Sequence, residues 1–207
     1  MMASYMNMPR EGYLEAVLHV FEFLVQKYNS RMALDPTYTV IDMNNFKESK
    51  WKDFYRYLKE AIPPNAPKER GKYFDLCGYV DREHAGENNT RRYLSGFFIF
   101  LNTALIQWFS NSQAMIETSM FGTEFVAMKI FMETLQGIKY NLRMIGVPIY
   151  GLSYIYGDNM VVIYNTKSTD TTLKKKSNSI FYHTVRRSVA MDESLTEHVK
   201  TKDNCND

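Results

Sequence analysis

The chain has 207 residues, 45% of them hydrophobic and 23% charged, with a formal net charge of +2. That length holds one sizeable core plus an appendage, and the composition excludes wholesale disorder. A near-neutral balance excludes a global basic field for nucleic acid and leaves only local patches for such binding.

In chain order, residues 10–29 carry Leu14, Val17, Leu18, Phe21, Leu24 and Val25 at spacings of three and four, which predicts an amphipathic helix. A short strand-like piece over 31–34 and a second helix over 49–62 follow. The stretch Pro63-Pro64-Asn65-Ala66-Pro67-Lys68-Glu69-Arg70-Gly71 then reads as a linker. Beyond it, 73–81 has the aromatic and β-branched character of a strand, and 93–101 with 104–110 read as a hairpin turning at Asn102-Thr103. A long helix spans about 119–145, stopped by Gly146-Val147-Pro148. A strand over 152–156 breaks at Gly157-Asp158-Asn159. A short helix over 160–164, a helix over 173–191 and a strand near 195–201 complete the chain. This order suits a mixed sheet with helices packed on it. Cys77 and Cys205 are too few and too far apart for a disulfide framework or a zinc site. No apolar run approaches the ~18 residues of a membrane span. The start lacks the pattern of a secretory signal. The expectation is an intracellular protein, cytoplasmic or nuclear, with no membrane partner.

Four carboxylates fall at element ends. Asp81 closes the first strand of the second region, and Asp158 lies where a later strand breaks. Glu124 lies in the first turns of the long helix, beside the apolar stripe of Met128, Phe131 and Leu135. Asp207 follows the last strand. Clustered carboxylates repel one another and are costly to desolvate, so such a cluster suits a hard divalent cation. On the residues alone, Glu124 also reads as a helix former and Asp158 as a turn residue. Spacing does not show that the four converge.

The surrounding blocks add a resemblance. Tyr79-Val80-Asp81-Arg82-Glu83-His84-Ala85-Gly86 and Thr90-Arg91-Arg92-Tyr93-Leu94-Ser95-Gly96 resemble the opening of copia-type retrotransposon ribonuclease H domains. Glu117-Thr118-Ser119-Met120-Phe121-Gly122-Thr123-Glu124-Phe125-Val126-Ala127 is similar to that family's next block, as are Leu142–Pro148, Tyr156-Gly157-Asp158-Asn159 and Leu173–Ile180. Asp203-Asn204-Cys205-Asn206-Asp207 resembles the closing block. The blocks stand in the family's order. Upstream, Met8-Pro9-Arg10-Glu11-Gly12-Tyr13-Leu14-Glu15-Ala16 resembles the end of the family's reverse transcriptase.

The resemblance implies an α/β, mixed α+β, ribonuclease H-like fold: a five-stranded mixed sheet flanked by helices, with a partly helical N-terminal extension. It implies residues 1–62 as a remnant of the reverse transcriptase connection region, 63–71 as linker and 72–207 as the ribonuclease H-like domain. The family continues past its closing Asp into another helix, so that domain is expected to lack its last helix. Asp81, Glu124, Asp158 and Asp207 match the family's metal-binding carboxylates, which are expected within metal-bridging reach of two Mg²⁺ or Mn²⁺ ions. The implied reaction is hydrolysis of the RNA strand of an RNA–DNA hybrid. Other parts of the Pol polyprotein, the reverse transcriptase and integrase, are the implied protein partners. Arg91, Arg92, Lys174, Lys175, Lys176, Arg186 and Arg187 are candidate phosphate contacts, although a lysine run is also a common solvated face. Three departures stand out. Arg82-Glu83 replaces the usual Ala-Asp pair, Ser110–Gln113 lacks a basic pair, and Asp207 is the last residue. Two readings therefore stay open: a hybrid-specific ribonuclease, or a degenerate element product that keeps the fold and binds nucleic acid without cleaving it.

Overall fold

The computed structural model describes residues 11–29, 37, 38, 41, 46, 51, 58–60, 62–83, 94–112, 120–168 and 179–200. The chain divides into two compact units, Met1–Leu34 and Asp35–Asp207. In the first, helix α1 (Glu11–Gln26) carries the expected periodic apolar residues, and Leu14, Leu18, Phe21, Leu24 and Val25 are all exposed.

The second unit is built on strands β1 (Phe74–Glu83), β2 (Leu94–Leu101), β3 (Ala104–Ser112), β4 (Ile149–Gly157) and β5 (Ser194–His198). They form one sheet in the order β3-β2-β1-β4-β5. The β1–β2 and β2–β3 pairs are antiparallel, whereas β1–β4 and β4–β5 are parallel. Three helices accompany it: α2 (Met120–Met144), α3 (Met160–Lys167) and α4 (Ser179–Ala190). No helix among the described residues is long and apolar enough to cross a membrane.

Local chemistry explains the turns. Asn102 takes a left-handed φ of 53°, which Asn tolerates better than most residues. Its side-chain oxygen accepts from the Asp75 N–H at 2.9 Å, and its own N–H donates to the Asp75 carbonyl at 2.8 Å. The hairpin is thereby pinned to the start of β1. Gly146, with φ 77°, ends the α2 turn, and its carbonyl accepts from the Arg70 N–H. The proline-rich stretch before β1 is thus seated against the end of α2.

Helix α2 supplies much of the core. Phe125, Met128, Phe131, Met132 and Leu135 are all at most 2% exposed and recur at helical spacing. Each such burial is worth roughly 1.5–3 kcal/mol. They pack on Leu76, Val80, Phe97, Ile99 and Ile155 of the sheet, with Val162 and Ile163 of α3 and Tyr182, Val185 and Val189 of α4 in the same core. The approach is closest at Gly78. A Cβ there would overlap the Phe131 ring and stand 2.7 Å from the Phe98 carbonyl oxygen. Only glycine lets the helix lie this near the strand.

The sheet's compact unit begins at Asp35, upstream of the linker expected at 63–71. Three residues of the 35–62 segment show why. Phe46 is buried edge-on against Tyr154 and Tyr156. The Trp51 indole donates to the Thr166 carbonyl at 2.8 Å. Glu60 accepts two hydrogen bonds from Arg143, at 2.7 and 2.9 Å, and lies 2.9 Å from the Lys139 ammonium. Residues 58–60 are irregular, so the helix expected over 49–62 does not reach them; 52–57 and the strand expected over 31–34 lie outside the described residues.

Lys139 is 2% exposed, and burial pushes its pKa down against the opposing pull of Glu60. Burial pushes the Glu60 carboxyl up, but the hydrogen bonds from Arg143 and Lys139 outweigh that and hold it below its ordinary value. An unfolded Glu titrates near ~4.3. The stabilisation from a depressed carboxyl is therefore present above that pH and lost as pH falls through the lower folded value. Glu60→Gln is expected to cost about 3 kcal/mol at neutral pH, and the gap from wild type should narrow on acidification below about pH 4. Urea unfolding across that pH range measures it. Gly78→Ala should cost about 1–3 kcal/mol by overpacking, read as a lower midpoint in the same assay at neutral pH.

Candidate active site

Strands β1 and β4 lie side by side and run the same way, with Val80 opposite Gly157. Asp81 and Asp158 each follow that pair by one residue, Asp81 still within β1 and Asp158 just past the end of β4, so both lie at the same end of the parallel pair. The C-terminal ends of parallel strands are where ligands gather in α/β sheets. Glu124, in the first turns of α2, completes the group. All three line one small cleft, whose apolar walls include Val80, Ala127, Met128, Val162 and Ile163. Each of the three is half-buried.

The turn after Asp158 is built by its neighbour. Asn159 is the N-cap of α3: its extended backbone sets the helix start, and its side-chain oxygen accepts from the N–H groups of Val161 at 2.9 Å and Val162 at 3.1 Å. Two N–H groups that the helix leaves without partners are thus satisfied. The sequence signal for this role was an Asn directly before an apolar helical run. From the sequence the residue reads only as part of a strand break.

Among the described residues, the cleft's lining contains three acids and no Lys, Arg or His. Among the described residues, no group of three His, Cys, Asp or Glu side chains is placed so as to hold a metal ion. The sequence expectation of metal-bridging reach thus meets a shared cleft and not a closed ligand set. Asp81 and Glu124 each take part in a further polar or electrostatic interaction. Asp207, the fourth candidate, and Arg91, Arg92, Lys174, Lys175 and Lys176 lie outside the described residues.

Arg186 departs from its expected role as a phosphate contact. It is 5% exposed, its guanidinium donates to the carbonyls of Asn165 at 2.9 Å and Ser168 at 2.8 Å, and it stacks over Tyr182 and Trp51. The side chain ties α4 to the end of α3. Arg187, the next residue, is exposed. The adjacent positions differ because a helix turns about 100° per residue.

No family model matches the sequence. Two curated relatives do. The retrovirus-related Pol polyprotein from transposon RE2 of Arabidopsis thaliana is 24% identical over 148 residues, 72% of this chain and 10% of the relative. The corresponding polyprotein from transposon RE1 of the same plant is 24% identical over 152 residues, 73% of this chain and 10% of the relative. The chain thus spans about a tenth of the length of the curated relatives it matches. The crystal structure of LC11-RNase H1 in complex with RNA/DNA hybrid is similar at a TM-score of 0.50 and 13% identity, covering 64% of this chain and 90% of that one. The fold is therefore ribonuclease H-like, as the sequence resemblance implied.

Loss of the α3 cap should be measurable without any ligand. Asn159→Ala is expected to lower stability by about 0.5–2 kcal/mol, whereas Asn159→Ser, which keeps an acceptor at the cap, should stay near wild type in chemical unfolding.

Proposed function

We propose that this chain, related to the ribonuclease H region of retrotransposon Pol polyproteins, is a metal-dependent endonuclease that cleaves the RNA strand of RNA–DNA hybrids. One observation carries the reading: Asp81, Glu124 and Asp158 line the same cleft at the end of the parallel β1–β4 pair. Three carboxylates held in one cleft repel one another, and a bound cation relieves that repulsion. The donor types suit a hard divalent ion, since all three side chains offer carboxylate oxygens. Asp81, Glu124 and Asp158 would hold Mg²⁺ or Mn²⁺, with Asp207 as the fourth candidate ligand. The bound metal supplies an activated water and charge compensation at the phosphate.

The chain's own residues do the positioning. Asp81 and Asp158 are set by the parallel pairing of β1 with β4, and Glu124 by the seating of α2. The apolar walls from Met128, Val162 and Ile163 exclude water from one side of the acids, which strengthens their interaction with a cation. Selection of RNA rests on contacts to the 2′-hydroxyl and on hybrid shape, since base edges in an A-like helix are poorly accessible. Arg91, Arg92 and the Lys174–Lys176 run are the proposed phosphate contacts. The remaining Pol polyprotein, including reverse transcriptase and integrase, is the proposed protein context, and the cytoplasm or nucleus the proposed location.

Cleavage of an end-labelled RNA–DNA hybrid in Mg²⁺ and in Mn²⁺ tests the reading. Wild type should cut the RNA strand, and Asp158→Asn should reduce the rate by at least ~100-fold, the scale of losing one charge-stabilising group. Cleavage indifferent to Asp158→Asn would overturn the site. Hybrid binding with no cleavage in either metal would replace the enzyme reading with that of a fold-retaining binding protein.

A further inference from the structure

The two edges of the sheet are protected very differently. At one edge, β5 is five residues long and carries Glu197, which pairs with Lys167 at 2.8 Å. At the other, β3 runs for nine residues, Ala-Leu-Ile-Gln-Trp-Phe-Ser-Asn-Ser, without a charge or a proline. Among the described residues no strand lies on its outer side. Edge strands expose unpaired N–H and C=O groups, and proteins guard them with charges, prolines, short length or bulges. Here the one irregularity falls at the start, between Leu105 and Gln107 opposite Phe100 and Ile99. From Gln107 to Ser112 the pairing with β2 is regular.

The same strand bears an uncovered apolar surface. Trp108 is 61% exposed, and Ile106 beside it is also exposed. Trp108 stands opposite Phe98, which stands opposite Tyr79, so the three share one sheet face. The row continues to Tyr156, stacked on Tyr79 at 5.0 Å, where Phe46 covers it at 5.7 Å. One end of an aromatic row is thus packed within the chain and the other is open at an unguarded edge.

We propose that β3 is a self-association edge, with Trp108–Ser112 pairing antiparallel to the same stretch of a second copy of this chain about an axis at Ser110. Charge decides the occupant. At a two-fold axis the same patch meets itself, so a charged strand would oppose its own copy, and an uncharged one meets no such repulsion. A nucleic acid would find no cation on this strand for its phosphates. The pairing joins two five-stranded sheets into one of ten strands and covers both copies of Trp108.

The test is light scattering after size exclusion of the full chain, run from low to high micromolar concentration, alongside Trp fluorescence. Wild type should pass from monomer to dimer. The emission of Trp108 should shift to shorter wavelength as it does, while buried Trp51 contributes a constant background. Ser110→Lys, at an exposed position of the strand, sets like charges across the axis and should weaken the dimer by at least about tenfold. Trp108→Ala should weaken it without adding charge, and far-UV circular dichroism checks that each variant folds. A wild type that stays monomeric throughout overturns the proposal. So does a dimer indifferent to both substitutions, or one abolished by Leu18→Lys on the exposed face of α1 but not by them.

Discussion

The contact of the Phe131 ring with the bare backbone of Gly78 sets the distance between α2 and β1. Asp81 lies three residues further along the strand, and Glu124 about two turns back along the helix. Their approach therefore depends on a contact that involves neither of them. A close-packed interface of this kind is stiff, because a shift of even a methylene's width forces neighbouring rings from their rotamers. Phe131 is also held edge-on by Phe97 at 5.2 Å, and Phe97 is stacked on Phe109 at 4.8 Å, so three strands and one helix share the constraint.

At the far end of α2 the chain uses polar chemistry instead. The Lys139 ammonium is buried yet donates to the carbonyls of Gly151 and Glu193 as well as meeting Glu60. The Glu193 carboxylate accepts from Gln136 and from Ser188 at 2.9 Å. Burying such groups is costly unless every one of them is satisfied. In this network α2, β4, the approach to β5 and the segment before β1 are fixed to one another. Directional bonds specify that register where apolar contact alone would tolerate sliding.

The sheet is asymmetric in its two faces. Helices α2, α3 and α4 pack on one, while the other is partly roofed by Phe46 over Tyr154, Tyr156 and Cys77. Burial pushes the Tyr156 hydroxyl pKa well above its ordinary value. Under Phe46 the aromatic face is thus partly covered, and at Trp108 it is open. The acidic cleft and the apolar edge belong to different strands of the sheet.

Much of this was legible in the sequence. The apolar run of β3, the Asn102-Thr103 turn and the apolar stripe of α2 follow from local rules, since composition, turn dihedral and helix stops are properties of neighbouring residues. The blocks around Asp81, Glu124 and Asp158 pointed to the fold and to those three acids. Tertiary structure alone decided the rest. That Asp81 and Asp158 stand side by side depends on β1 pairing parallel with β4 across some seventy residues of chain, a long-range choice that no local pattern records. That Trp51 and Glu60 belong with the sheet, and that Arg186 faces inward while Arg187 faces solvent, depends on partners distant in sequence. Sequence determined which residues were available to form a site; packing between remote segments determined which of them met.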